Sequence, residues 1–156
     1  MKKLIMPTAH YEVAEIQLSY KLKVKRSDRP KVGHAHDAYK ILKQCWDADK
    51  IDFIEEFKIL LLDTNNNVIG IFEVSSGGTS TTTADPRLIF AAALKANAKG
   101  IILAHNHPSG DWMPSHNDKA MTRLLVEAGA LLMIPVLDHV IVTREGYYSF
   151  ANEGLL

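Results

Sequence analysis

Between Ile16 and Val24 the chain alternates strictly. Ile16, Leu18, Tyr20, Leu22 and Val24 fall on one side, with Gln17, Ser19, Lys21 and Lys23 between them. A period of two belongs to a half-buried strand, because successive side chains leave a strand on opposite faces. Ser27-Asp28-Arg29-Pro30 ends it. The apolar spacing then becomes helical, predicting a helix over 37–47 that buries Tyr39, Leu42 and Trp46. Residues 57–62 read as a buried strand and 68–74 as its return. Asp63-Thr64-Asn65-Asn66-Asn67 supplies the turn chemistry between them, so the pair reads as a hairpin. Residues 1–10 show no such pattern and read as a flexible N-terminus.

The second half starts with a loop rich in Ser, Thr and Gly over 75–84, too short to separate domains. Asp85-Pro86 then opens a helix, with Asp as N-cap and Pro in the first turn. It is expected to reach about residue 97 on Leu88, Ile89, Ala92, Ala93 and Ala96. A short apolar strand covers 100–105. A helix over 115–128 is expected to bury Met121, Leu124, Leu125 and Ala128. Strands are expected at 132–137 and 139–142, and Gly146 to Phe150 closes the fold. Strands and helices in this mixed order predict one α/β layer domain, a mixed sheet flanked by helices.

Composition narrows the function classes. The 156 residues include 47% apolar side chains, enough for a core without staples. Lys plus Arg number 18 and Asp plus Glu number 18, so bulk charge gives no attraction for phosphate backbones and nucleic-acid binding is not indicated. The basic run Lys21, Lys23, Lys25, Arg26, Arg29 and Lys31 reads as a solvated strand and turn. The one cysteine, Cys45, cannot form an internal disulfide, and it sits in an apolar helical pattern as core filler. No segment reaches membrane-spanning length, and the expected setting is reducing and cytoplasmic.

The chemistry concentrates in His105-Asn106-His107-Pro108 and Ser115-His116-Asn117-Asp118. Residues two apart on a strand point the same way, so His105 and His107 share a side while Asn106 faces the other. Pro108 stops the strand. Ser115 can cap the next helix, which places Asp118 in its first turn. Two imidazoles and a carboxylate suit Zn²⁺, with a fourth position left for water. The proton acceptor beside that water is read as Glu73, which ends the apolar strand Ile69-Gly70-Ile71-Phe72. Taken singly, each feature has a plainer meaning: a structural His-x-His, a capping box, a solvent-facing strand end.

The neighbouring residues have plainer meanings too. His116 can contact substrate but reads first as an exposed helix-start residue, Asp138-His139 can be an auxiliary polar pair but reads first as a strand-start turn, and His34 and His36 read as loop residues. Trp112 and Met113 either flank a groove or anchor the loop between the ligands, and Asp111 can hydrogen-bond an imidazole. Zinc deaminase chemistry needs Pro-Cys-x-x-Cys, which this chain lacks.

His105-x-His107-Pro108-x₆-Ser115-x₂-Asp118 resembles the JAMM motif of the JAB/MPN metalloproteases at every defined position. Ala104 through Gly110, Pro114-Ser115, Asp85-Pro86-Arg87 and Leu137-Asp138-His139 are similar to the RadC-like branch. The resemblance implies a JAB/MPN-like (cytidine-deaminase-like) fold over 11–156, with the motif-matching part at about 37–156. It implies zinc on His105, His107 and Asp118, and an oxyanion hydrogen bond from Ser115. An upstream Glu moves the proton. Glu73 fits as that Glu when counted from Gly78-Thr79, whereas counting from Gly77 puts Phe72 in its place.

The implied activity is a zinc metallopeptidase or isopeptidase acting on a peptide or isopeptide substrate. The alternatives are a non-catalytic module of this fold associated with DNA repair or mobile elements, and a nuclease. Full-length RadC proteins carry a helical DNA-binding-like segment ahead of this domain, and the expectation is that it is absent here.

Overall fold

The computed structural model describes residues 3–5, 12–14, 23–77 and 84–156. Most of the alternating strand expected at 16–24, and most of the 75–84 loop, lie outside the described residues. Residues 3–5, expected to be loose, form a strand. This β1 (Lys3–Ile5) pairs antiparallel with β2 (Glu12–Ala14).

The main body runs α1 (Ala35–Cys45), β3 (Glu56–Leu62), β4 (Val68–Ser76), α2 (Pro86–Lys95), β5 (Gly100–Asn106), α3 (His116–Leu131), β6 (Val136–Val142) and β7 (Tyr147–Ser149). Its five strands form one sheet in the order β4-β3-β5-β6-β7. Only β5 and β6 are parallel, and α3 makes the crossover between them. The β3–β4 hairpin closes as expected. The Asp63 carboxylate accepts the amides of Asn65 and Asn67 at 2.9 and 3.0 Å, and Asn66 adopts φ 59.

Each face of the sheet buries its own apolar layer. Phe57, Ile59, Ile101 and Leu103 pack against Ile89, Phe90 and Ala93 of α2 and Leu125 of α3. On the other face Leu60, Leu62, Ile102 and Val140 pack against Ala38, Tyr39 and Leu42 of α1. The result is an α/β fold with helices on both sides of a mixed sheet.

Some expectations of burial are corrected. Leu88 and Leu124 are each 49% exposed. The inward face of α3 is Thr122, Leu125 and Gly129, so a polar residue holds a place that apolar periodicity assigns elsewhere. Cys45 is exposed, not core filler, because the buried face of α1 is Ala35, Ala38, Tyr39 and Leu42. Residues 132–135 are not strand. Helix α3 continues to Leu131, and a tight turn with Met133 at φ 56 precedes β6, which runs unbroken through Asp138 and His139. That turn folds closely onto the helix. A Cβ on Gly129 would lie 2.5 Å from the Ile134 carbonyl oxygen, so only glycine fits. Among the described residues no helix is long and apolar enough to cross a membrane.

Candidate metal centre

The end of β5 and the start of α3 meet at one point. His105 is on the strand and 1% exposed, and His107 follows just past its end. Across the crossover, Ser115 and Asp118 form a reciprocal capping box. The Ser115 amide donates to Asp118 Oδ2 at 2.7 Å, and the Asp118 amide donates to Ser115 Oγ at 3.1 Å. The cap holds the carboxylate at the helix N-terminus, where the helix dipole favours negative charge, and turns it toward the two imidazoles.

Three ligand atoms converge there. His105 Nε2 lies 2.9 Å from His107 Nε2 and 3.2 Å from Asp118 Oδ1, and His107 Nε2 lies 3.6 Å from Asp118 Oδ2. These are the three residues of the described chain grouped so that they can hold one metal ion. Ligands about 2.0–2.2 Å from a tetrahedral ion are about 3.3–3.6 Å apart. The observed separations of 2.9 to 3.6 Å, shared between the two Asp118 oxygens, bracket that spacing, so the donor set fits zinc in chemistry and in scale.

The electrostatics suit a cation. Burial opposes the Asp118 charge, yet hydrogen bonds from His105 and His107, the His105 charge and the Ser115 contact hold its carboxyl far below the usual carboxylate range. Burial also works against charge on His107, but Asp118, the Asp111 carbonyl and the Glu55 charge outweigh it and raise its pKa.

Each imidazole is steered from behind. His107 Nδ1 donates to the Asp111 backbone carbonyl. The contact expected of Asp111 is therefore made, through its main chain. His105 Nδ1 lies 2.8 Å from Nε2 of His139, whose Nδ1 lies 2.6 Å from Thr122 Oγ1. The Thr122 hydroxyl in turn donates to the Asp118 carbonyl at 2.6 Å. Burial pushes the His139 pKa well below its ordinary value, aided by the charge of His105, so the ring is neutral. The sequence pointed to His139 only as half of an auxiliary polar pair, second to a turn, and to Thr122 not at all. The available signal was a pair of polar residues, Asp138 and His139, inside an otherwise apolar strand.

Glu73 is not brought to this group. In the sheet register Phe57 stands opposite His105, while Lys58 stands opposite both Ala104 and Glu73. Directly paired residues share a face, so Glu73 projects from the side opposite His105. Its carboxylate holds Lys58 at 2.7 Å. Lys58 also contacts Glu56 at 3.0 Å and sits 4.9 Å from the Trp46 ring centroid. Glu73 stands inside β4, not at its end, and its charge answers a buried lysine. The expected role as proton acceptor at the metal is corrected by this register.

Another carboxylate faces the centre. Glu55, just ahead of β3, lines an open cleft with Phe57, His105, Asp118, Met121 and His139. It is 9% exposed, and its charge acts on His107. Its place follows from topology: β3 runs antiparallel to β5, so the start of one meets the end of the other. Asn106, between the two ligands and pointing away from them, fastens the segment. Its amide donates to the carbonyls of Ile51 and Ile54 at 2.7 and 2.8 Å and accepts the Glu56 amide at 2.7 Å. The Glu55-Glu56 pair at the mouth of a buried strand was the sequence signal for this residue.

The loop between the ligands is anchored by Trp112. Its ring lies so close to Gly146 that a Cβ there would come within 2.5 Å of it. Met113 is 57% exposed. His116 is exposed at the start of α3, as expected.

Comparison with known proteins identifies the family. The family model for a RadC-like JAB domain matches residues 32–155. The UPF0758 protein STH371 of Symbiobacterium thermophilum is 47% identical over 103 residues, which cover 66% of this chain and 44% of that protein. A UPF0758 protein of Thermotoga maritima is 43% identical over 117 residues, 75% of this chain and 52% of that one. One from Chlorobium phaeovibrioides is 36% identical over 154 residues, 97% of this chain and 67% of the relative. The chain spans about half the length of the first two and two thirds of the third.

Proposed function

We propose that this chain, which belongs to the family of RadC-like JAB domains, is a zinc-dependent hydrolase of amide bonds, with a peptide or isopeptide as substrate. The observation that carries this reading is the convergence of His105, His107 and Asp118 beside a cleft that a second carboxylate, Glu55, also lines. The three converging groups would hold the ion. When bound, zinc supplies Lewis acidity, which lowers the pKa of water and polarises a carbonyl.

The rest is done by the chain itself. Glu55 accepts the proton of the attacking water and returns it to the leaving amine nitrogen as the C–N bond breaks. The capping bond uses the Ser115 oxygen as acceptor, and its O–H, which otherwise supports the Asp118 carboxylate, turns to donate to the oxyanion developing on the substrate carbonyl. Asn106 keeps the Glu55 segment in place, and Asp111 sets the tautomer of His107.

The test is hydrolysis of peptide and isopeptide-linked libraries by the zinc-loaded protein, read by mass spectrometry. Glu55→Gln should lower turnover by about 10²–10⁴-fold, the usual contribution of a general base, with zinc stoichiometry unchanged. Glu73→Gln should stay close to wild type. A wild-type protein that holds zinc but cleaves nothing supports a binding module of this fold and overturns the enzyme reading. So does a Glu55→Gln variant as active as wild type.

A further inference from the structure

We propose that His139 and Thr122 are positioning residues, which fix the tautomer and orientation of His105 and tie it to Asp118; this rests on the metal-site reading above. The direction of the relay can be set from its far end. The Asp118 carbonyl can only accept, so the single Thr122 proton is committed to it at 2.6 Å. The Thr122 oxygen must then accept from His139 Nδ1 at 2.6 Å. A neutral imidazole with its proton on Nδ1 has a lone pair on Nε2, which accepts from His105 Nδ1 at 2.8 Å. With Nδ1 committed to His139, Nε2 is the His105 nitrogen that faces His107 and Asp118: it donates to Asp118 in the metal-free protein and, once that proton is given up, offers its lone pair to a cation. No metal was invoked in reaching that assignment, and it is the one a metal ligand needs.

The relay closes on itself. It starts at one member of the donor triangle and ends on the backbone of another, so the positions of His105 and Asp118 are coupled through α3. Its setting argues against a packing role alone. Thr122 is fully buried and His139 is 1% exposed. The His139 ring sits 4.7 Å from the Phe150 ring and 5.6 Å from that of Phe57, centroid to centroid. An apolar side chain would fill that space without the cost of burying two polar groups.

Thr122 supplies no ligand atom and does not line the cleft, and it meets Asp118 only at its backbone carbonyl, so its variants separate positioning from ligation. Zinc affinity is measured by competition with a chromophoric chelator, and circular dichroism and thermal unfolding of the metal-free protein report the fold. Thr122→Val keeps the shape but removes the acceptor for His139 Nδ1. It should weaken zinc binding by about 10–100-fold, the usual cost of losing a group that orients a metal ligand. Thr122→Ser should stay within about threefold of wild type, since the hydroxyl is kept.

A second measurement needs no variant. Long-range ¹H–¹⁵N spectra of the zinc-loaded wild type should show the proton on Nδ1 in both His105 and His139. A folded Thr122→Val that binds zinc like wild type overturns the inference, as does a His139 protonated on Nε2. A wild type that binds no zinc overturns the metal-site reading itself, and the two failures are distinguished by that control.

Discussion

Replacing Asn106 by leucine should cost stability and turnover together while leaving the metal ligands in place. The side chain is fully buried and makes three hydrogen bonds, to the Ile51 carbonyl, the Ile54 carbonyl and the Glu56 amide. A net contribution of about 1 kcal/mol per bond gives about 3 kcal/mol, and backbone groups left unpaired inside the protein raise this toward about 5 kcal/mol. Asn106→Asp keeps the acceptor for Glu56 but turns a carboxylate toward two carbonyls. Its deficit should be at least as large at neutral pH and should shrink on acidification, because burial favours the protonated carboxyl. Urea unfolding of the zinc-free protein measures both. The functional effect follows from the same contacts: with residues 51–56 released, Glu55 loses its fixed position, so kcat falls while zinc affinity stays within about threefold, since no ligand is removed. A loss of stability below about 1 kcal/mol for Asn106→Leu would refute the bracket.

Other substitutions test the remaining structure. Lys58→Met removes the cation between Glu56 and Glu73, leaving Glu56 with its side chain 2% exposed and uncompensated; urea unfolding should show a loss of about 3–5 kcal/mol. Glu73→Gln acts on a half-exposed partner of the same lysine and should cost less than about 1 kcal/mol in the same assay. Gly129→Ala drives a methyl into the Ile134 carbonyl and should lower stability by about 1–3 kcal/mol.

The metal-free protein should also lose stability as pH falls from 6.5 to 5.5. Burial keeps folded His139 neutral while the unfolded chain takes up that proton, a slope of up to about 1.4 kcal/mol per pH unit. His107, with its raised pKa, stabilises the fold below its unfolded pKa and loses that gain only as pH rises above it, so it does not cancel the slope in this window. Calorimetry across the window, repeated on His139→Phe, should show the slope flatten.

The fold was legible where local chemistry and periodicity agree. Asp85-Pro86 opens α2, the Asp63–Asn67 turn closes the hairpin, and the run from Gly100 forms β5. It was less legible where tertiary demands override periodicity. Thr122 takes an inward position on α3 because its hydroxyl is used inside, and Leu124 is displaced to the surface. The metal ligands could be read because both spacings are local: two along a strand, three from a helix cap. The proton acceptor could not. Glu73 and Glu55 differ in which face of the sheet they address, and that is set by the pairing of β3 with β5 and with β4, the latter irregular between Phe57 and Lys58. His139 was hidden for a related reason, since its neighbours come from α3 and β5 and not from its own strand.

The most direct measurement is a crystal structure of the zinc-loaded protein with anomalous diffraction at the zinc edge. One strong peak is expected, about 2.0–2.2 Å from His105 Nε2, His107 Nε2 and an Asp118 oxygen, with its open side toward Glu55. A peak coordinated by other residues, or no peak from protein saturated with zinc, would contradict the account.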